Sequence, residues 1–342
     1  MWYNYCVFIF FIEFVFRKQA VYASRQGENM KYCFIINPAS GKKTTKDGLE
    51  ERIREVCVKR GVEADIYFTA CRGDAREYVR NYVIDASNEV RFYACGGDGT
   101  LCECISGLME RNTRDNVSVG VIPVGTGNDF VRCFGGAQGF LDISAQLDAT
   151  PMEIDVIKCN DDYAVNMINV GFDCQVVVKT AEMKKKSFIP SKFAYIAGLI
   201  LTLIKKPGAV FRSASDKNEN RTLKLLLATF ANGKYCGGGF YSNPNSRLDD
   251  GVINALFVDD ISRIRFLSIV GRYKSGTHLD GKNDDIFSEN DSSDFELEFD
   301  GPTNISIDGE IVTADRIKLT CLNRVARFLV PKGICYANGI EA

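Results

Sequence analysis

Three short stretches of the 342-residue chain set carboxylates inside glycine turns, and these are the residues best suited to do chemistry. The first is Gly96-Gly97-Asp98-Gly99-Thr100, followed by Leu101 and Cys102. The second is Gly125-Thr126-Gly127-Asn128-Asp129-Phe130, and the third is Asp308-Gly309-Glu310. Glycine admits positive φ and lets a ligand come close to the backbone. Where such a turn opens a helix, free N–H groups and the helix dipole favour a phosphate. Asp98 repels phosphate, so its presence there implies a cation or a proton transfer beside the anion. The second stretch adds hydroxyl, amide and carboxylate groups for an anion or its metal. In the third, two carboxylates flank a glycine and repel each other unless a cation, a proton or a hydroxyl donor lies between them. Each also has a plain reading on its own: a βα turn with a capping aspartate, or an ordinary β-turn.

The elements that must position these residues follow from the apolar pattern. Tyr32 to Ile36 reads as a strand ending in the small polar loop Asn37-Pro38-Ala39-Ser40-Gly41. A helix with Leu49, Ile53 and Val56 inward stops at Gly61, and Val62 to Phe68 is a strand. After Thr69, a helix carries Ala75, Tyr78, Val79 and Tyr82 on one face. The strand Val90 to Cys95 leads into the first glycine turn and a helix bearing Leu101, Cys104, Ile105, Leu108 and Met109. Val117 to Ile122 then leads into the second. Strands alternating with helices imply a parallel sheet covered on both faces, with ligands beyond the carboxyl ends of the strands. The loops at Asn37, Gly96 and Gly125 are therefore expected to gather on one edge.

Beyond about Asp148 the alternation stops. Met152 to Lys158, Tyr163 to Val170, Leu223 to Ala231, Val252 to Val258, Phe295 to Phe299, Asn304 to Ile307 and Ile317 to Thr320 are strand-like. They predict an antiparallel β-sandwich with helical insertions at about 174–205 and 261–275, and an acidic, serine-rich surface loop at 280–294. The apolar run Ile196 to Ile204 is too short to span a bilayer and is read as a packed helix. The expected organisation is thus an α/β domain at 30–150, a β domain at 151–330 and a tail at 331–342. Residues 1–29 stand apart. Their aromatic run, Trp2 to Phe16, precedes Arg17 and Lys18, the reverse of a signal peptide's charge order. They are read as an upstream extension before a start at Met30, with a short membrane-associating helix as the alternative.

Composition narrows the chemistry. A net charge of −2 gives no electrostatic footprint for nucleic acid, and Lys184-Lys185-Lys186 reads as a solvated helix face. Thirteen cysteines, odd in number and set mostly in apolar runs, read as reduced thiols in a cytoplasmic protein. The single histidine, His278, leaves no histidine metal cluster, so acid–base work falls on carboxylates. No Walker A motif is present, because Gly41-Lys42 lacks a glycine five residues before Gly41.

In combination, Asn-Pro-x-Ser-Gly, Gly-Gly-Asp-Gly-Thr, Gly-Thr-x-Asn-Asp-Phe and a late Asp-Gly-Glu resemble the diacylglycerol kinase catalytic-domain family, from about Met30 to near the C-terminus. That family includes sphingosine kinases and soluble bacterial lipid kinases. The resemblance implies a Rossmann-like nucleotide domain of NAD kinase/diacylglycerol kinase type with a C-terminal β-sandwich. It further implies transfer of the ATP γ-phosphoryl group to a lipid hydroxyl, with transient peripheral contact at the inner face of the membrane and a homo-dimer left open. By motif, Asn37, Pro38, Ala39, Ser40, Gly41, Thr69, Gly96 to Cys102, Thr126 and Asn128 would hold ATP. Asp98 and Asp129 would join the network around the phosphates and Mg²⁺, and Asp308 and Glu310 would orient and deprotonate the acceptor, Glu310 taking the proton. A structural Mg²⁺ site is implied at Leu248-Asp249-Asp250-Gly251, from the Asp250 carboxylate and the Arg247 and Val252 carbonyls. Cys102 departs from the family's usual asparagine, and Ile311-Val312 after Glu310 is also unusual. A kinase of a soluble hydroxyl substrate, such as NAD or a sugar phosphate, and a non-catalytic binding module are the competing readings.

Overall fold

The computed structural model describes residues 30–41, 48–85, 87–171, 209–215 and 218–336. The predicted insertion at 174–205, with Lys184 to Lys186 and Ile196 to Ile204, and the segments 1–29 and 337–342 lie outside the described residues. In the first half, β1 (Met30–Ile36), α1 (Leu49–Arg60), β2 (Ala64–Phe68), α2 (Asp74–Asn81), β3 (Glu89–Gly96), α3 (Asp98–Met109) and β4 (Val117–Pro123) alternate, and α4 (Ile143–Leu147) follows. Alternate residues of β1 enter different cores. Tyr32, Phe34 and Ile36 pack with Leu49 and Ile53 of α1, while Cys33 and Ile35 share a core with Ala75 and Val79 of α2 and Leu101 of α3. Burial on both faces is why the strand reads as an unbroken apolar run. On α1, Leu49 and Ile53 are buried as expected, and the third buried residue is Cys57, with Val56 only half-buried.

The four strands are parallel in the order β2-β1-β3-β4. The order in which successive strands join the sheet reverses between β1 and β3, and in open α/β sheets the crevice beyond that switch is where ligands bind. The loops after β1 and β3 open there.

The second half is built from β5 (Thr150–Cys159), β6 (Asp162–Ala164), β7 (Met167–Gly171), β8 (Ala209–Ser215), β9 (Asn218–Ala231), β10 (Ile253–Asp259), α5 (Arg263–Ser275), β11 (Phe287–Ser292), β12 (Asp294–Ile307) and β13 (Glu310–Val330). β9 and β12 each pair with β7 along one part and β8 along another, so the strands curl around a core containing Ile168, Phe211, Phe230, Phe295 and Leu297. The expected surface loop at 280–294 is in part a strand: β11 pairs antiparallel with β10. Its acidic and serine residues point mostly to solvent, and Phe287 anchors it in the core under α5. An edge strand tolerates such low strand propensity because it needs only one partner and one anchored face.

β13 joins the halves. Near its start it pairs with β12, it then runs antiparallel to β5, and Phe328 meets Val119 of β4 in parallel register. Phe328 packs against Phe130 with ring centroids 5.0 Å apart. One strand therefore carries Glu310 at one end and a core residue of the α/β half near the other. No helix among the described residues is long and apolar enough to cross a membrane, and no disulfide joins any described cysteine.

Candidate active site

The three loops of the α/β half meet through their backbones. Asn37 N–H donates to the Cys95 carbonyl at 3.0 Å and Gly125 N–H to the Gly96 carbonyl at 3.0 Å. Asn37 Nδ2 donates to Thr100 Oγ1 at 3.1 Å, and Asn37 Oδ1 accepts from Ala39 N–H at 2.9 Å, so this side chain ties the first loop to α3. Glycine is required for these approaches. Gly41 has φ +72°, and a Cβ there would lie 1.9 Å from the Val124 carbonyl oxygen. A Cβ on Gly125 would lie 2.5 Å from Gly97 Cα. Thr69 is buried, Thr126 and Pro38 are exposed at the rim, and Ser40 is partly exposed. Asn128, at φ +53°, turns its amide onto the Pro123 and Gly125 carbonyls at 3.0 and 3.1 Å and so braces its own loop.

Asp98 and Asp129 face each other across Gly127. A Cβ on that glycine would lie 3.0 Å from Asp98 Oδ2 and 3.7 Å from Asp129 Oδ2. Asp98 Oδ1 accepts from Phe130 N–H at 3.1 Å. Asp129 is buried; its Oδ2 accepts from Gly238 N–H at 2.8 Å, and its Oδ1 faces Arg132 Nε at 3.3 Å. Burial, then the charge of Asp98, pushes the Asp129 carboxyl up to about 6. Two like charges in this setting call for a proton or a cation between them.

The Asp308-Gly309-Glu310 turn comes against α3 at Cys102. Asp308, at φ +46°, accepts from the N–H groups of Val165 (2.7 Å), Asn166 (3.1 Å) and Met167 (2.7 Å). Burial raises its carboxyl to about 6 even though these bonds and Cys102 oppose the shift. A carboxylate holding three backbone donors is a brace for the β6–β7 turn. Cys102 donates its thiol to the Tyr163 carbonyl at 3.4 Å and is kept neutral by burial and then by Asp308. Glu310 is the more accessible of the pair, and Arg72 Nη2 lies 2.6 Å from its Oε2. Arg72, Cys102 and Glu310 line a cleft of about 370 Å³ with Arg76, Glu103, Tyr163 and Val312.

At Leu248-Asp249-Asp250-Gly251, Asp250 Oδ1 accepts from Val252 N–H at 3.1 Å. Beneath the turn, buried Asp155 accepts from Gly251 N–H (2.6 Å) and Arg324 N–H (2.7 Å). Asp249 is flanked by Arg247 at 3.6 Å and Arg324 at 3.7 Å. Burial raises the Asp250 carboxyl, and the charges of Asp155 and Asp249 add to it. Among the described residues, no group of three or more histidine, cysteine or acidic side chains is gathered to hold a metal.

Three further groups at the site carry no motif in the sequence. Gly237, Gly238 and Gly239 all have positive φ, and their loop reaches from the β half to Asp129; the run of glycines was the available signal. Arg132 also donates to the Gly127 carbonyl at 3.2 Å. Arg72 stood in a loop with no pattern to mark it. His278 lies buried against Tyr273 and Phe287, away from these groups, with its imidazole pKa lowered by burial.

Comparison with known proteins gives this arrangement a class. The diacylglycerol kinase catalytic domain matches residues 31–159, and the YegS C-terminal NAD kinase beta sandwich-like domain matches residues 166–329. A crystal structure of a diacylglycerol kinase from Bacillus anthracis shares the fold, with TM-score 0.65 at 18% identity over 89% of this chain and 98% of that one. A "Probable lipid kinase YegS-like" protein of Xanthomonas euvesicatoria is 30% identical over 231 residues, 65% of this chain and 72% of its own. The "Diacylglycerol kinase" of Bacillus subtilis is 26% identical over 82% of this chain and 93% of its own length. The chain belongs to the diacylglycerol kinase-like family of lipid kinases and is an enzyme of that kind.

Proposed function

We propose that this enzyme transfers the γ-phosphoryl group of ATP to a lipid hydroxyl in a Mg²⁺-dependent reaction, with diacylglycerol as acceptor and phosphatidate as product. The carrying observation is the meeting of Asp98 and Asp129 across Gly127, under three interlocked loops, with Glu310 projecting into the adjoining cleft. The α/β half is read as a Rossmann-like nucleotide domain whose loops at Asn37, Gly96 and Gly125 cradle the phosphates.

The residues fit both ligands. Gly41 and Gly125 let the loops after β1, β3 and β4 close on one another backbone to backbone, which gathers their glycine-rich turns in one place for the phosphates. Asp98 and Asp129 are hard oxygen donors, and Asp129 Oδ1 is buried without a hydrogen bond. Bound Mg²⁺ would neutralise charge developing on the transferred group. Asp250, raised by burial and two neighbouring carboxylates, fits a second, structural ion at its turn.

The chain's own groups do the rest. Glu310 takes the proton of the lipid hydroxyl as its oxygen bonds to the γ-phosphorus and the bond to the β–γ bridging oxygen breaks, leaving ADP. Asp308 fixes the backbone of the β6–β7 turn, and with it the wall of the cleft, through its three accepted hydrogen bonds. The test is incubation of purified protein with [γ-³²P]ATP, Mg²⁺ and a lipid panel. Label entering the organic phase supports the reading; label confined to the aqueous phase with a soluble acceptor refutes it.

A further inference from the structure

Arg72 reaches Glu310 from the far side of the cleft, 238 residues away in sequence. Its backbone is well anchored: Glu103 accepts from the next N–H, that of Gly73, at 2.9 Å, and from Ala75 N–H at 3.2 Å. Arg76, also in the cleft, is engaged by Glu110 and by Asp162 at 3.0 Å. Among the described ion pairs, Arg72 makes one, and it is with the carboxylate read as the proton acceptor. The pair is open to solvent, with side-chain exposures of 66% for Arg72 and 35% for Glu310. An ion pair this exposed is weak and exchanges partners readily. A guanidinium binds a phosphate dianion more strongly than a single carboxylate, through two parallel N–H···O bonds.

We propose that Arg72 is a γ-phosphate ligand that rests on Glu310 in the nucleotide-free enzyme and transfers to the phosphoryl group when ATP binds, releasing the carboxylate to accept the hydroxyl proton. The inference rests on Glu310 being that proton acceptor. A base beside the attacking hydroxyl stands beside the γ-phosphorus, so a guanidinium in contact with the base is within reach of the γ-oxygens. The exchange couples the two substrates: Glu310 is unpaired only once a phosphoryl group is there to receive the alcohol.

Equilibrium binding of ADP and of the non-hydrolysable ATP analogue AMP-PNP to full-length protein tests it directly. Arg72→Ala should weaken AMP-PNP about ten-fold or more and ADP less than two-fold, since one charge-assisted contact to the terminal phosphate is lost. Glu310→Gln should tighten AMP-PNP several-fold, and that gain should vanish when combined with Arg72→Ala, a non-additivity that a surface pair would not give. Added guanidinium ion should restore part of the turnover of Arg72→Ala and none of that of Glu310→Gln. Equal effects on ADP and AMP-PNP, or no effect on either, overturns the assignment of Arg72. Wild-type turnover in Glu310→Gln instead overturns the reading of the base, while the nucleotide contrast still reports on Arg72.

Discussion

Asp129→Asn should stabilise the folded enzyme at alkaline pH while removing its activity. Burial and the Asp98 charge raise the Asp129 carboxyl from 3.8 to about 6. A carboxyl whose folded-state pKa is raised favours the native state below about 3.8, and that advantage is lost as pH rises through about 6. The difference of roughly 2 units corresponds to about 3 kcal/mol at 1.36 kcal/mol per unit. Asparagine mimics the protonated form and can still accept from Gly238 N–H through Oδ1, so it escapes the penalty. With an unfolding entropy of roughly 2.1 cal/mol/K per residue, 342 residues give about 0.7 kcal/mol/K, and the gain appears as about 4 °C in Tm. The assay is a thermal melt of wild type and Asp129→Asn in EDTA at pH 8 and pH 4. The variant should melt higher at pH 8 and together with wild type at pH 4. Equal or lower Tm at pH 8, or the same difference at both pH values, would refute the electrostatic account of this pair.

Three further outcomes follow from the site. Asp98→Asn and Glu310→Gln should each lower turnover by orders of magnitude. Glu310→Gln should leave Tm within about 1 °C of wild type, while Asp98→Asn, which removes the charge facing Asp129, should raise Tm at pH 8 by less than Asp129→Asn does because burial is the larger cause; kinetics paired with melts checks this. Asp308→Ala leaves the N–H groups of Val165, Asn166 and Met167 without their acceptor and should destabilise the fold by about 3 kcal/mol or more, read by urea denaturation. If the turn at Asp250 holds Mg²⁺, the ion raises wild-type Tm by mass action and Asp250→Ala abolishes the increment; a Mg²⁺ titration of Tm that leaves wild type unmoved removes that site.

The parts legible in the sequence were those where local chemistry fixes the backbone. Continuous apolar runs such as Tyr32 to Ile36 announce strands buried on both faces, the glycines at 41 and 125 stand where backbones meet without room for a Cβ, and a Cβ at Gly96 would strike the Thr100 side chain. Long-range pairing was not legible. Nothing in Val325-Ala326-Arg327-Phe328 distinguishes a strand that returns to β4 from one that stays in the β half, because pairing partners leave no mark on a period of two. The role of Asp308 was hidden for a related reason: its partners are backbone N–H groups more than 140 residues away, which have no side-chain signature. Arg72 illustrates the same limit, since only the fold brings it to Glu310. The strand Phe287–Ser292 was obscured by composition, as Ser-Glu-Asn-Asp-Ser reads as loop until an edge and a buried Phe287 hold it in place.

The most direct test of the central claim is product identification. Full-length wild-type protein and Glu310→Gln are incubated with Mg²⁺, [γ-³²P]ATP and diacylglycerol in mixed micelles, and the labelled organic-phase product is resolved and weighed by mass spectrometry. Phosphatidate formed by the wild type and absent with Glu310→Gln is the predicted result. Label that never enters a lipid from a broad panel, or phosphatidate formed equally by both proteins, would contradict it.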